Sequence, residues 1–226
     1  MKMNMQKITA GACNALSVLT LLLMIASMCP LQLRANDDVD IYELTLDENL
    51  ETPEIKNKKH VQRIQDYQSQ EAERLASVKG VNYTVELMRN GEVIIVSVPS
   101  SVLFADNDTV LSDVAAKQLK PLMQELKNPG FYKVMLVMHS DNTGSESYNK
   151  DLTVKRVNAV YDWIDAHGKV DFVVPYAMGQ YDPITDNNSM ENRRKNRRLE
   201  IFLVPGDVML EQAKKGKINI NNIPKK

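Results

Sequence analysis

The chain has 226 residues, 43% hydrophobic and 25% charged, with 28 basic and 29 acidic side chains and a formal net charge of -1. That balance argues against a nucleic-acid binder, and the length is too short for an outer-membrane barrel beside a folded domain. Three histidines and two cysteines leave little material for a thiol nucleophile or a zinc site.

Residues 1–35 differ from everything after them. Lys2 and Lys7 precede an apolar run from Ala15 to Met28, and the stretch closes on Leu33-Arg34-Ala35, the pattern of a secretory signal peptide cleaved after Ala35. The run is short of the roughly 20 residues a spanning helix needs. Cleavage there removes Cys13 and Cys29 and takes the formal net charge from -1 to -4. Ala26-Ser27-Met28-Cys29 offers an alternative, a lipidated Cys29 that tethers the mature protein to a membrane.

Residues 36–80 read as an acidic spacer and a connecting helix. Asn36 to Glu54 is rich in aspartate and glutamate and predicts an extended segment. From Thr52 to Val78, Pro53 suits a first turn, and Ile55, Val61, Ile64, Ala72 and Leu75 recur at helical intervals opposite a charged face. A solvated helix docked at one end is expected.

Residues 81–205 carry the domain. Tyr83–Met88 and Val93–Val98 are strands joined through Asn90-Gly91, a hairpin signal. Ser112 is expected to cap a helix to about Lys127, with Val114, Leu119 and Leu122 inward and Asn128-Pro129-Gly130 ending it. The strand Val134–Met138 runs into His139-Ser140-Asp141, and the Asn142-Thr143-Gly144 turn leads to a helix ending near Ala166. Val170–Met178 and Arg198–Val204 are further strands, with a polar helical turn at Met190–Lys195, and residues 206–226 read as a basic flexible tail.

On the long helix, Asn149, Leu152, Arg156, Val160 and Trp163 share one side, so an arginine stands among apolar neighbours. It needs a partner. One reading is an internal ion pair with Asp141 at the strand end. The other leaves both charges open for a ligand bearing an ammonium and a carboxylate, the carboxylate gripped by the planar guanidinium and favoured by the helix-start amides near Ser145 to Ser147.

Asn149-x-x-Leu152-Thr153-x-x-Arg156-Val157-x-x-Val160-x-x-x-Ile164 resembles the signature of the OmpA-like peptidoglycan-binding domain, with Thr153 in place of its serine. His139-Ser140-Asp141-Asn142-Thr143-Gly144 resembles the family's H-T-D-x-x-G, and Asn196-Arg197-Arg198-Leu199-Glu200-Ile201 its closing D-R-R-V-E-I strand. The resemblance runs from about Tyr83 to Val204. Ala105 departs from an aspartate often found after the family's phenylalanine, and Gln180-Tyr181 stand where a glycine and a glutamate are common.

The resemblance implies an α+β fold, a βαβαββ sandwich whose mixed sheet has helices packed on one face, preceded by a hairpin and an N-terminal helix. It implies non-catalytic binding of peptidoglycan through the diaminopimelate of the stem peptide. Asp141 would take the ammonium and Arg156 the carboxylate; Thr143 and Asn149 would add hydrogen bonds, and Asn107 and Arg197 would close the pocket. Arg193 matches a commonly basic position, while Arg198 is expected to be structural or exposed. No cofactor, metal or catalytic residue is expected, since the adjacent His139-Ser140-Asp141 point to alternate faces of a strand and cannot form a relay. Asp141→Ala and Arg156→Ala are expected to fold and fail to bind. The location implied is the periplasm, wall-associated and at the outer membrane. A second reading is a structural subunit of an outer-membrane or cell-surface assembly, docked through residues 52–80 or the tail, with wall binding secondary or lost.

Overall fold

In the computed structural model, which describes residues 44–51 and 55–222, the sheet is built around β3 (Tyr132–His139). Its side chains alternate between two apolar layers, with Val134, Leu136 and Met138 on one face and Met135 and Val137 on the other. A strand apolar on both faces belongs in the middle of a sheet covered on both sides. Around it lie β1 (Thr84–Met88), β2 (Val93–Pro99), β4 (Val173–Gly179) and β5 (Arg198–Pro205), in the order β1-β2-β5-β3-β4. Only the β3–β4 pairing is parallel, which makes the sheet mixed. The β1–β2 turn places Arg89, Asn90 and Gly91 at positive φ, the conformation the Asn-Gly pair predicts. β2 is both the second hairpin strand and the first strand of the βαβαββ run.

The helices are α1 (Leu46–Leu50), α2 (Lys58–Ala76), α3 (Ser100–Leu103), α4 (Ala115–Leu119), α5 (Glu146–His167), α6 (Met190–Asn196) and α7 (Asp207–Lys215). The larger core joins Ile64 and Leu75 of α2, Leu119 of α4, Val157, Val160 and Ile164 of α5 and Met209 of α7 to one face of the sheet.

Four expectations require correction. The acidic stretch is not wholly extended. Thr45 and Glu48 form a capping box that starts α1, and Leu46 and Leu50 pack on the opposite face against Met135, Val137, Val174, Phe202 and Val204. Asn49 Nδ2 donates to the Tyr176 hydroxyl at 2.7 Å, and that hydroxyl donates to Leu44 O at 2.8 Å. α2 docks along its length, burying Ile64, Gln68, Ala72 and Leu75, and Gln68 accepts from the Tyr132 hydroxyl at 2.8 Å while donating to Glu92 O at 2.8 Å.

The helix expected from Ser112 to Lys127 is broken. α4 gives way to a 3-10 segment, Lys120–Gln124, where Pro121 lacks the N–H to continue an α-helix. Ser112 Oγ donates to Val102 O at 3.1 Å and caps nothing, and Val114 is exposed. The tail, expected to be mobile, continues the fold through residue 222. Met209, Leu210, Ala213 and Ile220 are buried, Arg63 Nη1 donates to Ala213 O at 2.7 Å, and Gly206 N donates to Phe131 O at 2.9 Å. Any side chain at Gly206 would collide with the Gly130 carbonyl, so the β5–α7 junction requires glycine. The signal-peptide and Cys29 readings lie outside the described residues.

Candidate ligand-binding site

At the C-terminal end of β3 the chain leaves the sheet through Ser140 and Asp141, turns at Gly144 with φ +94°, and enters α5 under a Ser145 cap whose Oγ accepts from Tyr148 N at 3.2 Å. Facing this corner are the α3 helix with the loop that follows it and the α6–β5 junction. Between them lies a cavity of about 390 Å³, lined by Asp141, Thr143, Asn149, Arg156, Arg193 and Arg197 among others. Asn149 and Arg156 are seven residues apart, two helical turns, and so share the inward face of α5.

Arg156 is only 5% exposed, yet no carboxylate lies within ion-pair distance of it among the described residues. Neutral acceptors hold it instead. Nε donates to Asp108 O at 2.8 Å, Nη1 to Ser100 Oγ at 3.0 Å and Nη2 to Ala105 O at 3.0 Å, and the guanidinium sits 5.0 Å from the Phe104 ring centroid. Burial holds its pKa below the usual arginine range, with Arg197 adding to the shift and Tyr148, Asp106 and Asp108 opposing it. Three of five N–H donors are used, and the arginine fastens the 105–108 loop to the helix.

Asp141 is buried and does not pair with Arg156. Its Oδ1 accepts from Thr143 N at 2.7 Å, and its Oδ2 pairs with Arg197, the cap of α6. Burial pushes its carboxyl up, but the backbone N–H and hydroxyl of Thr143 and the Arg197 guanidinium outweigh that, so its pKa lies below the ordinary value. It is ionised at neutral pH. Arg197 therefore grips Asp141 as well as lining the cavity, a pairing the sequence did not suggest.

The remaining predicted residues divide. Thr143 is exposed on the turn, and Asn149 is buried with its Nδ2 on Gln180 Oε1 at 2.9 Å. Asn107 adopts φ +55° and accepts from the Tyr148 hydroxyl at 3.2 Å. Arg193 donates to Asn187 O at 2.8 Å beside the cavity. Arg198, next along β5, turns away: its Nε pairs with Glu200 at 2.8 Å and its Nη2 lies 3.7 Å from Asp182. His139 Nε2 lies 3.2 Å from the same Glu200. Burial raises the Glu200 pKa, and His139 and Arg198 more than offset this, so it lies below the ordinary value. His139, Asp182 and Glu200 are close enough to share a metal ion, but Arg198 already supplies a cation to both carboxylates. Sequence reasoning missed Ser100, which no motif distinguishes, and Tyr148 and Met190 on the cavity wall; Tyr148 could have been flagged by its place beside Asn149 at the helix start.

A mixed sheet with its cavity at the end of a central strand, covered by a long helix, defines an α+β domain of the kind seen in a protein described as MotB-like from Desulfovibrio vulgaris. The two share 24% identity and a TM-score of 0.56, over 64% of this chain and 94% of that one. The sequence pattern of the OmpA family matches residues 103–197, and this part of the chain belongs to that family. YfiB of Escherichia coli is 30% identical over 105 residues, 46% of this chain and 66% of YfiB. The peptidoglycan-binding protein ArfA of Mycobacterium tuberculosis is 32% identical over 103 residues, 45% of this chain and 32% of ArfA. The matches thus span about two thirds of one relative and about a third of the other. No helix among the described residues is long and apolar enough to cross a membrane.

Proposed function

We propose that the domain binds peptidoglycan noncovalently through the diaminopimelate of the stem peptide and so anchors an envelope component to the cell wall. One observation carries this reading: a buried guanidinium, Arg156, faces an open cavity with no carboxylate of its own. Neutral carbonyls and a hydroxyl satisfy three of its donors and leave two for a ligand carboxylate. The ionised Asp141, less than 4 Å from no cation but Arg197 among the described residues, is the group for the ligand's ammonium. Thr143, Asn149 and Asn107 supply hydrogen bonds around it. Arg197, about one-third exposed, orients Asp141 and adds positive charge at the rim.

Membership of the OmpA family and the likeness to a relative named for peptidoglycan binding support the ligand class. The role is binding, not catalysis, and the place is the periplasm at the wall, next to the outer membrane. The test is a calorimetric titration of diaminopimelate-containing muropeptide into the wild type, Asp141→Asn and Arg156→Lys, with a lysine-containing muropeptide as control. Wild type is expected to bind the first ligand and discriminate against the second, and both variants to bind at least tenfold more weakly. The alternative, a structural subunit without wall binding, draws on Arg197 already occupying Asp141. A folded wild-type protein with no muropeptide affinity would select it.

A further inference from the structure

Beside the charged cavity stand three large, exposed apolar side chains, Tyr148 (44%), Tyr181 (64%) and Met190 (66%). Tyr148 and Met190 line the cavity, and Tyr181 follows Gln180, which holds the cavity residue Asn149. Exposed apolar groups gathered at one place carry information that scattered ones do not. Both tyrosines are fixed at their hydroxyl ends: Tyr148 donates to Asn107 Oδ1 at 3.2 Å, and Tyr181 donates to Glu146 Oε2 at 3.0 Å. Glu146 and Tyr148 lie two residues apart in the first turn of α5, so both rings are tied to one helical turn. The tethers cost the rings mobility before any ligand arrives and leave much of each side chain exposed. A tyrosine held this way offers a wide contact surface with little further entropy to lose. Tyr181 also stands where the family resemblance leads one to expect an acid, so this rim has gained a ring and lost a charge.

We infer that the rim is a second subsite, which stacks an uncharged sugar ring of the glycan strand on Tyr181 and Tyr148 while the charged stem occupies the cavity. The inference rests on the peptidoglycan reading. Its chemistry follows a division of surfaces: Asp141 and Arg156 lie in the cavity and suit a zwitterionic peptide, and the phenol rings and thioether beside it suit the C–H face of a pyranose. The spacing agrees. Glu146 precedes Arg156 by ten residues, about 15 Å along the helix axis, and the arginine side chain leans back toward the N-terminus. Three extended peptide residues, the stem from sugar to diaminopimelate, span about 10 Å.

The test compares a disaccharide-linked muropeptide with the same peptide freed of its sugars, by calorimetry, on the wild type, Tyr181→Ala and Tyr181→Phe. Wild type should bind the sugar-bearing ligand about threefold to tenfold more tightly than the free peptide. Tyr181→Ala should lose that preference while keeping the wild-type affinity for the free peptide, and Tyr181→Phe, which keeps the ring, should retain most of it. Equal affinity of the wild type for the two ligands, or an undiminished preference in Tyr181→Ala, overturns the subsite and leaves the peptide reading standing. Failure of the folded wild type to bind either ligand overturns both.

Discussion

Truncating Arg156 should unfold as well as disarm. Arg156→Ala removes three hydrogen bonds from a charged donor, at 2.8, 3.0 and 3.0 Å, and a contact with the Phe104 ring. It also leaves the Ser100 hydroxyl and two loop carbonyls without their donor. Each charge-assisted bond contributes about 1.5 to 3 kcal/mol, and because the three share one group they do not add fully; a total loss of about 3 to 5 kcal/mol is expected. With a urea slope near 2 kcal/mol per molar, that moves the midpoint down by about 2 M. This revises the simpler expectation that the alanine variant stays folded and merely fails to bind. Arg156→Lys is the discriminating variant, since a single ammonium keeps the charge but cannot reach three spread acceptors and a planar carboxylate together. It should lose about 1 to 2 kcal/mol of stability and weaken muropeptide binding about tenfold to a hundredfold. An Arg156→Ala protein within about 0.5 kcal/mol of wild type refutes the clamp, where 0.5 kcal/mol is the scatter of surface substitutions. Unchanged affinity in Arg156→Lys refutes the carboxylate grip.

Asp141→Asn keeps an acceptor for Thr143 but deprives Arg197 of its counter-ion, so binding should weaken about tenfold or more with a smaller stability loss; unchanged calorimetric affinity would place the ammonium elsewhere. Met209→Ala opens a fully buried site between α7 and the sheet and should cost about 2 to 5 kcal/mol in denaturant unfolding, whereas a loss below about 1 kcal/mol would return the C-terminal segment to a loosely attached one. Burial of Glu125, with Glu71 adding and Arg74 opposing, raises its pKa from 4.5 to about 7. The folded state thus holds this proton more tightly than the unfolded chain, so the Glu125 contribution to stability is full below about pH 4.5, falls as pH rises through about 7, and then levels. Glu125→Gln should flatten that decline in urea titrations between pH 5 and 8; an equal slope in the variant would assign the pH dependence to other groups.

Strong periodicity made the central parts legible. The run Val134–Met138 and the helix carrying Asn149, Leu152, Arg156 and Val160 are dictated by patterns with few alternatives, and the Asn90-Gly91 turn has a conformation few other pairs adopt. Asp141 and Arg156 of the candidate site were visible for the same reason, since each sits at a fixed offset from these elements. What was lost depended on contacts distant in sequence. Arg197 and Asp141 are 56 residues apart, and neither local spacing nor charge order indicates that they meet. The break at Pro121 was readable, because a proline within a helical pattern removes a donor, and so was the Thr45-x-x-Glu48 capping box before Leu50. The docking of α2 and α7 was not, because Ile64, Leu75 and Met209 are buried in a core shared with a sheet formed elsewhere in the chain.

The position of β3 has a mechanical consequence. The strand that delivers Asp141 is laddered to a neighbour on each edge, antiparallel to β5 and parallel to β4. On the proposed reading, tension applied to a wall polymer held at its end is shared in shear by these two rows of backbone bonds. The few side-chain contacts of the proposed site should then slip first, so that the domain lets go intact and takes hold again as the surrounding mesh stretches.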